Sequence, residues 1–139
     1  MEQLKHILLS GQHSLVIENG QTYTFDARGV ADLRRLLATR PELLRGARVA
    51  DKAIGKGAAA LLVLGRVAEV WTPLASTPAL ALLREHGIRA VADTEVPRIE
   101  NARRTGLCPI EQACMPCASA EECLASIDAF FARINRKQE

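Results

Sequence analysis

The sequence predicts an α/β fold with a parallel sheet at its centre, and three observations carry that prediction. Between residues 48 and 92, β-rich and helix-periodic segments alternate as strand, helix, strand, helix, strand. Earlier, Asn19-Gly20 stands between two β-rich segments, a strong hairpin signal. Apolar residues make up 48% of the chain and aromatics only 4%, so the core must be aliphatic.

The elements follow in order. A short amphipathic helix over residues 4–10 precedes the hairpin strands at 14–18 and 22–26. A helix over 30–39 places Leu33, Leu36 and Leu37 on one face. Pro41 opens a further turn carrying Leu43 and Leu44, which Gly46 stops. Arg48-Val49-Ala50-Asp51 reads as the end of a short strand, followed by an Ala- and Leu-rich helix to Leu64 with Gly65 as its C-cap. Residues 67–71 form the next strand. Thr77 is the expected N-cap and Pro78 the first-turn proline of a helix over 79–86, which Gly87 ends. Residues 88–92 are the last strand of the run. From Val96 to Ser119 the pattern turns polar and irregular, the kind of segment in which function concentrates. Ser119 and Glu122 form a capping box for a final helix, whose Leu124, Ile127, Phe131 and Ile134 should dock on the sheet.

At 139 residues the chain is most simply one domain, residues 1–139, with 112–139 read as a cysteine-containing loop and C-terminal helical extension. The formal net charge of +2 comes from interspersed residues, too weak a footprint for nucleic acid. The longest apolar run, residues 58–64, is far shorter than the roughly 20 residues that span a bilayer. The N-terminus carries no signal-peptide pattern. The expected location is cytoplasmic, where thiols stay reduced, and the expected partner is a small-molecule ligand, with a homo-oligomer left open.

Chemistry concentrates in two places. The first is Asp51-Lys52-Ala53-Ile54-Gly55-Lys56-Gly57, where a parallel strand hands over to a helix. Ligands of open α/β sheets bind at such strand ends, and two lysines with a helix N-terminus suit an anion. The bland alternative makes Asp51 an N-cap and the two glycines a means of close packing. The pattern is not a Walker A loop, because its first glycine and the hydroxyl after the lysine are missing.

The second is the cysteine segment. All four cysteines, Cys108, Cys114, Cys117 and Cys123, follow the spacing C-x5-C-x2-C-x5-C. Cys108-Pro109-Ile110-Glu111 resembles a helix start, with Cys108 at the cap and Glu111 reaching back as in a capping box. Cys108 is then a candidate reactive thiolate facing a positive helix end. The four thiols together are a candidate metal set for zinc or an iron–sulfur cluster, although the spacing matches no common pattern for either. Redox-active thiols and simple packing are the other readings. The three histidines, His6, His13 and His86, stand at no ligand spacing to one another.

Residues 49–56 with the alanines that follow, and residues 101–111 containing Arg104-Thr105-Gly106-Leu107-Cys108-Pro109-Ile110-Glu111, closely resemble the two hallmark segments of a small prokaryotic family. It is known as domain of unknown function eighteen-ninety-three, and the resemblance spans residues 15–111. It implies a cytidine-deaminase-like fold, a three-layer α/β/α arrangement with a mixed sheet, and no established activity. Zinc deaminases open one helix with His-x-Glu and the next with Pro-Cys-x-x-Cys. Asp51-Lys52 stands at the first of these places, and Pro109 follows Cys108 rather than preceding it, so the ordinary zinc-hydroxide mechanism is not supported. The expected pocket joins both segments: Asp51, Lys52 and Cys108 as catalytic candidates, with Lys56, Arg104, Thr105 and Glu111 as ligand-binding candidates. Resemblance covers Cys108 and leaves Cys114, Cys117 and Cys123 in a tail. A cysteine-based metal or redox module and a non-catalytic scaffold are the rival functions.

Overall fold

Five strands form one mixed sheet in the order β2-β1-β3-β4-β5. The computed structural model describes residues 1–27, 30–100 and 108–138, and side chains as far as Asn135. Strand β1 (Leu15–Asn19) runs antiparallel to β2 (Gln21–Phe25) and to β3 (Arg48–Asp51). Strands β3, β4 (Glu69–Ser76) and β5 (Arg89–Val96) are parallel. The Asn-Gly turn forms as the sequence predicts: Gly20 takes a φ of +80°, and Asn19 Nδ2 donates to the carbonyls of Glu42, Leu43 and Arg45, tying the hairpin to the loop before β3.

Helices α3 (Lys56–Gly65) and α4 (Thr77–Glu85) make the β3-to-β4 and β4-to-β5 crossovers. Both crossovers step in the same direction along the sheet, so one handedness puts both helices on one face, where they pack together beside α2 (Ala31–Thr39). That face holds the larger core, built on Leu15, Ile17, Val49 and Val70. The opposite face carries α1 (Glu2–Ser10), whose Leu4 and Leu8 cover Val16, Ala50 and Trp71. The alternation of Leu15 and Ile17 against Val16 along β1 is the two-residue period of a strand buried on both sides.

Four expectations about these elements are corrected. Helix α6 (Ala120–Gln138) packs on α3 and on α5 (Pro109–Cys114), not on the sheet, because α3 already occupies the sheet face. This is why α3 is apolar nearly all round. Ser76, not Thr77, caps α4, its fully buried hydroxyl accepting from Ala79 N–H at 3.3 Å. Arg66, in the left-handed conformation, ends α3; Gly65 lies against Leu44, whose Cδ1 would be 2.8 Å from an added Cβ. Strands β4 and β5 run on to Ser76 and Val96, past the ends that the sequence suggests. Pro73 inside β4 hides that continuation from a pattern reading.

Beyond Asp51, β3 leaves the ladder and rejoins β4 at Ile54, which bridges Ala75, accepts from Ser76 N–H and donates to Leu74 O. The buried Thr72 fills the gap: its Oγ1 accepts from Leu74 N–H at 3.2 Å and donates to Leu74 O at 3.0 Å. Thr72→Val keeps the shape and removes both bonds. It should destabilise the protein by about 1–2 kcal/mol in urea unfolding; an unchanged midpoint would refute this role. Among the described residues no helix is long and apolar enough to cross a membrane.

Candidate functional site

Asp51, at the end of β3, and the excursion of residues 52–53 beyond it make the floor of a cleft of about 530 Å³. Its walls come from the residues leading into β1 (Gln12, His13, Ser14), those just after β2 (Asp26, Ala27) and Leu74 of β4. These strand ends meet because β1 is antiparallel to both its neighbours: Leu15 pairs with Phe25 on one side and with Asp51 on the other.

Asp51 is buried and does not cap α3, whose N-cap is Gly55. Its carboxylate instead accepts hydrogen bonds from the backbone N–H groups of Ala53 and Lys52 within its own turn. Burial outweighs those bonds and pushes its pKa up to about 7. A carboxyl poised near neutrality in a cleft can donate or accept a proton at physiological pH. Lys52 is exposed at the rim, its backbone N–H bonded to Ser14 O at 3.0 Å.

His13 and Asp26 are the cleft residues that sequence reasoning misses. His13 Nδ1 lies 2.7 Å from Asp26 Oδ1, joining the loop before β1 to the residue just after β2. The His13 ring lies so close over Gly11 that an added Cβ there would be 2.6 Å from Nε2. Gln12 between them takes a φ of +55°, a conformation that costs a side-chain-bearing residue roughly 1 kcal/mol or more. The Gly11-Gln12-His13 turn directly before a strand is the one local signal for this wall; the pairing with Asp26 follows only from strand register.

Lys56 and Glu111 come together, but as structural partners. Gly55 offers no capping side chain, and the Glu111 carboxylate takes that place, accepting from Lys56 N–H at 2.5 Å and from Gly57 N–H. Burial nevertheless raises the Glu111 pKa, with the two N–H groups and the Lys56 charge opposing. Lys56 Nζ donates in return to Met115 O at 3.3 Å and Cys117 O at 2.5 Å, capping the C-terminal end of α5. Glu111 thus serves α3 rather than its own helix, and Cys108, the N-cap of α5, makes no side-chain capping bond. The glycines permit this contact: a Cβ on Gly55 would overlap the Glu111 carboxylate, and one on Gly57 would lie 2.5 Å from Ile110 Cγ2.

Cys108 lies half-buried against a smaller cavity of about 120 Å³, together with Val30, Ile99 and Glu111. Ala53 lines both cavities, so Cys108 and Asp51 flank the same turn from different sides. Arg104 and Thr105 lie outside the described residues. The four-cysteine set divides. Cys114 Sγ lies 3.9 Å from Cys123 O, and the Cys123 thiol neighbours both Cys114 and Cys117, while Cys108 takes no part. Among the described residues no group of three or more His, Cys, Asp or Glu side chains is arranged to hold a metal ion.

Fold and cleft define a small mixed-sheet α/β protein with a polar depression at the end of a parallel strand. The chain belongs to the family described as domain of unknown function DUF1893, whose model matches residues 3–131. The matched span takes in Cys114, Cys117 and Cys123, which the two hallmark segments leave in a tail. A similar solved structure is that of a DUF1893 family protein (TM1506) from Thermotoga maritima, with a TM-score of 0.84 and 23% identity over 92% of this chain and 87% of that one. At that identity the likeness speaks for the fold alone. No curated protein matches the chain.

Proposed function

We propose that the protein binds a small polar metabolite in the cleft over Asp51 and exchanges a proton with it. The observation that carries this reading is a buried carboxyl with a pKa of about 7 on the floor of a cleft of about 530 Å³, within the ordinary size range of ligand sites. Lys52 at the rim supplies a cation for an anionic group of the ligand, and the His13–Asp26 pair supplies a polar, hydrogen-bonding wall. Asp51, once ionised, is the proton acceptor; its protonated form is the donor. The deaminase-like expectation is retained for the scaffold, on the strength of the family resemblance. The β3-to-α3 turn, Asp51-Lys52-Ala53-Ile54-Gly55, contains no His, Cys or Glu, so the proton exchange is assigned to Asp51 and not to a metal-bound water.

A thermal-shift screen of nucleosides, nucleotides, phosphates and small carboxylates tests the reading. Hits should bind Asp51→Asn and Lys52→Ala roughly tenfold or more weaker than the parent, a loss of about 1.4 kcal/mol or more. Cys108→Ala should keep most of the affinity. Ligands that bind both cleft variants as tightly as the parent would overturn the assignment.

A further inference from the structure

The three thiols at the α5–α6 junction belong to no part of the cleft, yet they meet. Cys114 Sγ on α5 lies 3.9 Å from the carbonyl oxygen of Cys123 on the first turn of α6, and Cys117 Sγ in the connecting turn lies 3.4 Å from Ser126 Oγ, one turn beyond Cys123 on α6, so the Cys123 thiol neighbours both. Their accessibility differs. Cys114 and Cys123 are fully buried, whereas Cys117 is half-buried, its Sγ 3.4 Å from Ser126 Oγ and 3.6 Å from Ala113 O. Burial pushes the Cys114 thiol up to about 12, which makes it a poor nucleophile near neutral pH. Cys123 is raised by burial as well, with the Lys56 charge opposing.

We propose that Cys117 and Cys123 form a reversible disulfide, with Cys117 as the entry point for a low-molecular-weight disulfide oxidant and Cys123 as the resolving thiol. Cys117 Sγ attacks one sulfur of the oxidant and gives its proton to solvent. The oxidant's S–S bond breaks, one small thiol leaves, and Cys117 is held as a mixed disulfide. Cys123 Sγ then attacks the Cys117 sulfur, loses its proton and expels the second small thiol. Two protein thiols are oxidised to one disulfide while the oxidant is reduced to two thiols. The position of Cys117 gives the bond a consequence. Its carbonyl is one of the two that hold Lys56 Nζ, and Lys56 N–H is capped by Glu111, so moving Cys117 loosens the join between α5 and the start of α3.

The test uses the full chain incubated with oxidised glutathione, followed by alkylation of the remaining thiols and peptide mapping by mass spectrometry. Expected is a Cys117–Cys123 link, with Cys108 and Cys114 alkylated and the link lost on reduction. Cys123→Ser should retain glutathione on Cys117, and the milder Cys117→Ser should form no link even if Cys123→Ser fails to fold. Hydrogen exchange at the Lys56 and Gly57 amides should quicken in the oxidised protein. Glutathione left on Cys117 of the parent, a link through Cys108 or Cys114, no oxidation at all, or unchanged exchange at those amides would each overturn the proposal.

Discussion

Asp51→Asn should make the protein more stable near pH 8, by about 2–3 kcal/mol, while weakening whatever the cleft binds. In the unfolded chain Asp51 ionises near the ordinary 3.8; in the fold its burial delays ionisation to about 7. Below the first value both states hold the proton and the group costs nothing. Between the two, the folded state keeps a proton that the unfolded state has lost, so every rise in pH favours unfolding. Above about 7 the buried carboxylate is charged and its whole penalty, roughly 4 kcal/mol, is present. Asparagine cannot charge, and its carbonyl still accepts from the Lys52–Ala53 turn, though one amide oxygen serves two donors less well than a carboxylate. The gain should therefore shrink towards zero or reverse as the pH falls to about 4. Urea unfolding of both proteins across this range reads the effect. A stability difference that stays constant with pH would mean that Asp51 does not titrate as its burial requires.

Glu111→Ala should be the most damaging of the single changes at the turn, costing about 2–3 kcal/mol. It strips the acceptor from Lys56 N–H and Gly57 N–H at a helix end with no other side-chain cap. The relief of an imperfectly solvated carboxylate offsets part of the loss. Glu111→Gln, which keeps a carbonyl oxygen in reach, should cost about half as much. Were Glu111 instead a ligand-binding residue without a structural task, the alanine variant would unfold at the parent's denaturant midpoint and lose only binding.

The pairing of Glu111 with Lys56 shows where sequence reasoning stops. Both residues belong to segments marked by local signals, a strand-to-helix turn with two glycines and a Cys-Pro-Ile-Glu helix start. Local logic has Glu111 cap its own helix and leaves Lys56 free for an anion. Each instead serves the other's helix across 55 residues, because the bare Gly55–Gly57 backbone lets α5 settle on α3. His13 and Asp26 escape notice for a similar reason: nothing in their spacing of 13 residues announces contact until the hairpin register is set.

Elements and the turns between them are legible in the chain alone, since period, caps and glycine conformations act over a few residues. The β-α-β-α-β run, the Asn19-Gly20 hairpin and the aliphatic core all follow from such short-range rules. It takes the assembled fold to show that α6 packs on α3, that Asp51 is buried deeply enough to titrate near 7, and that Cys123 meets Cys114 and Cys117 without Cys108. Burial and convergence depend on which elements share a face, and that is fixed by crossover direction and strand register rather than by any residue's neighbours in the chain.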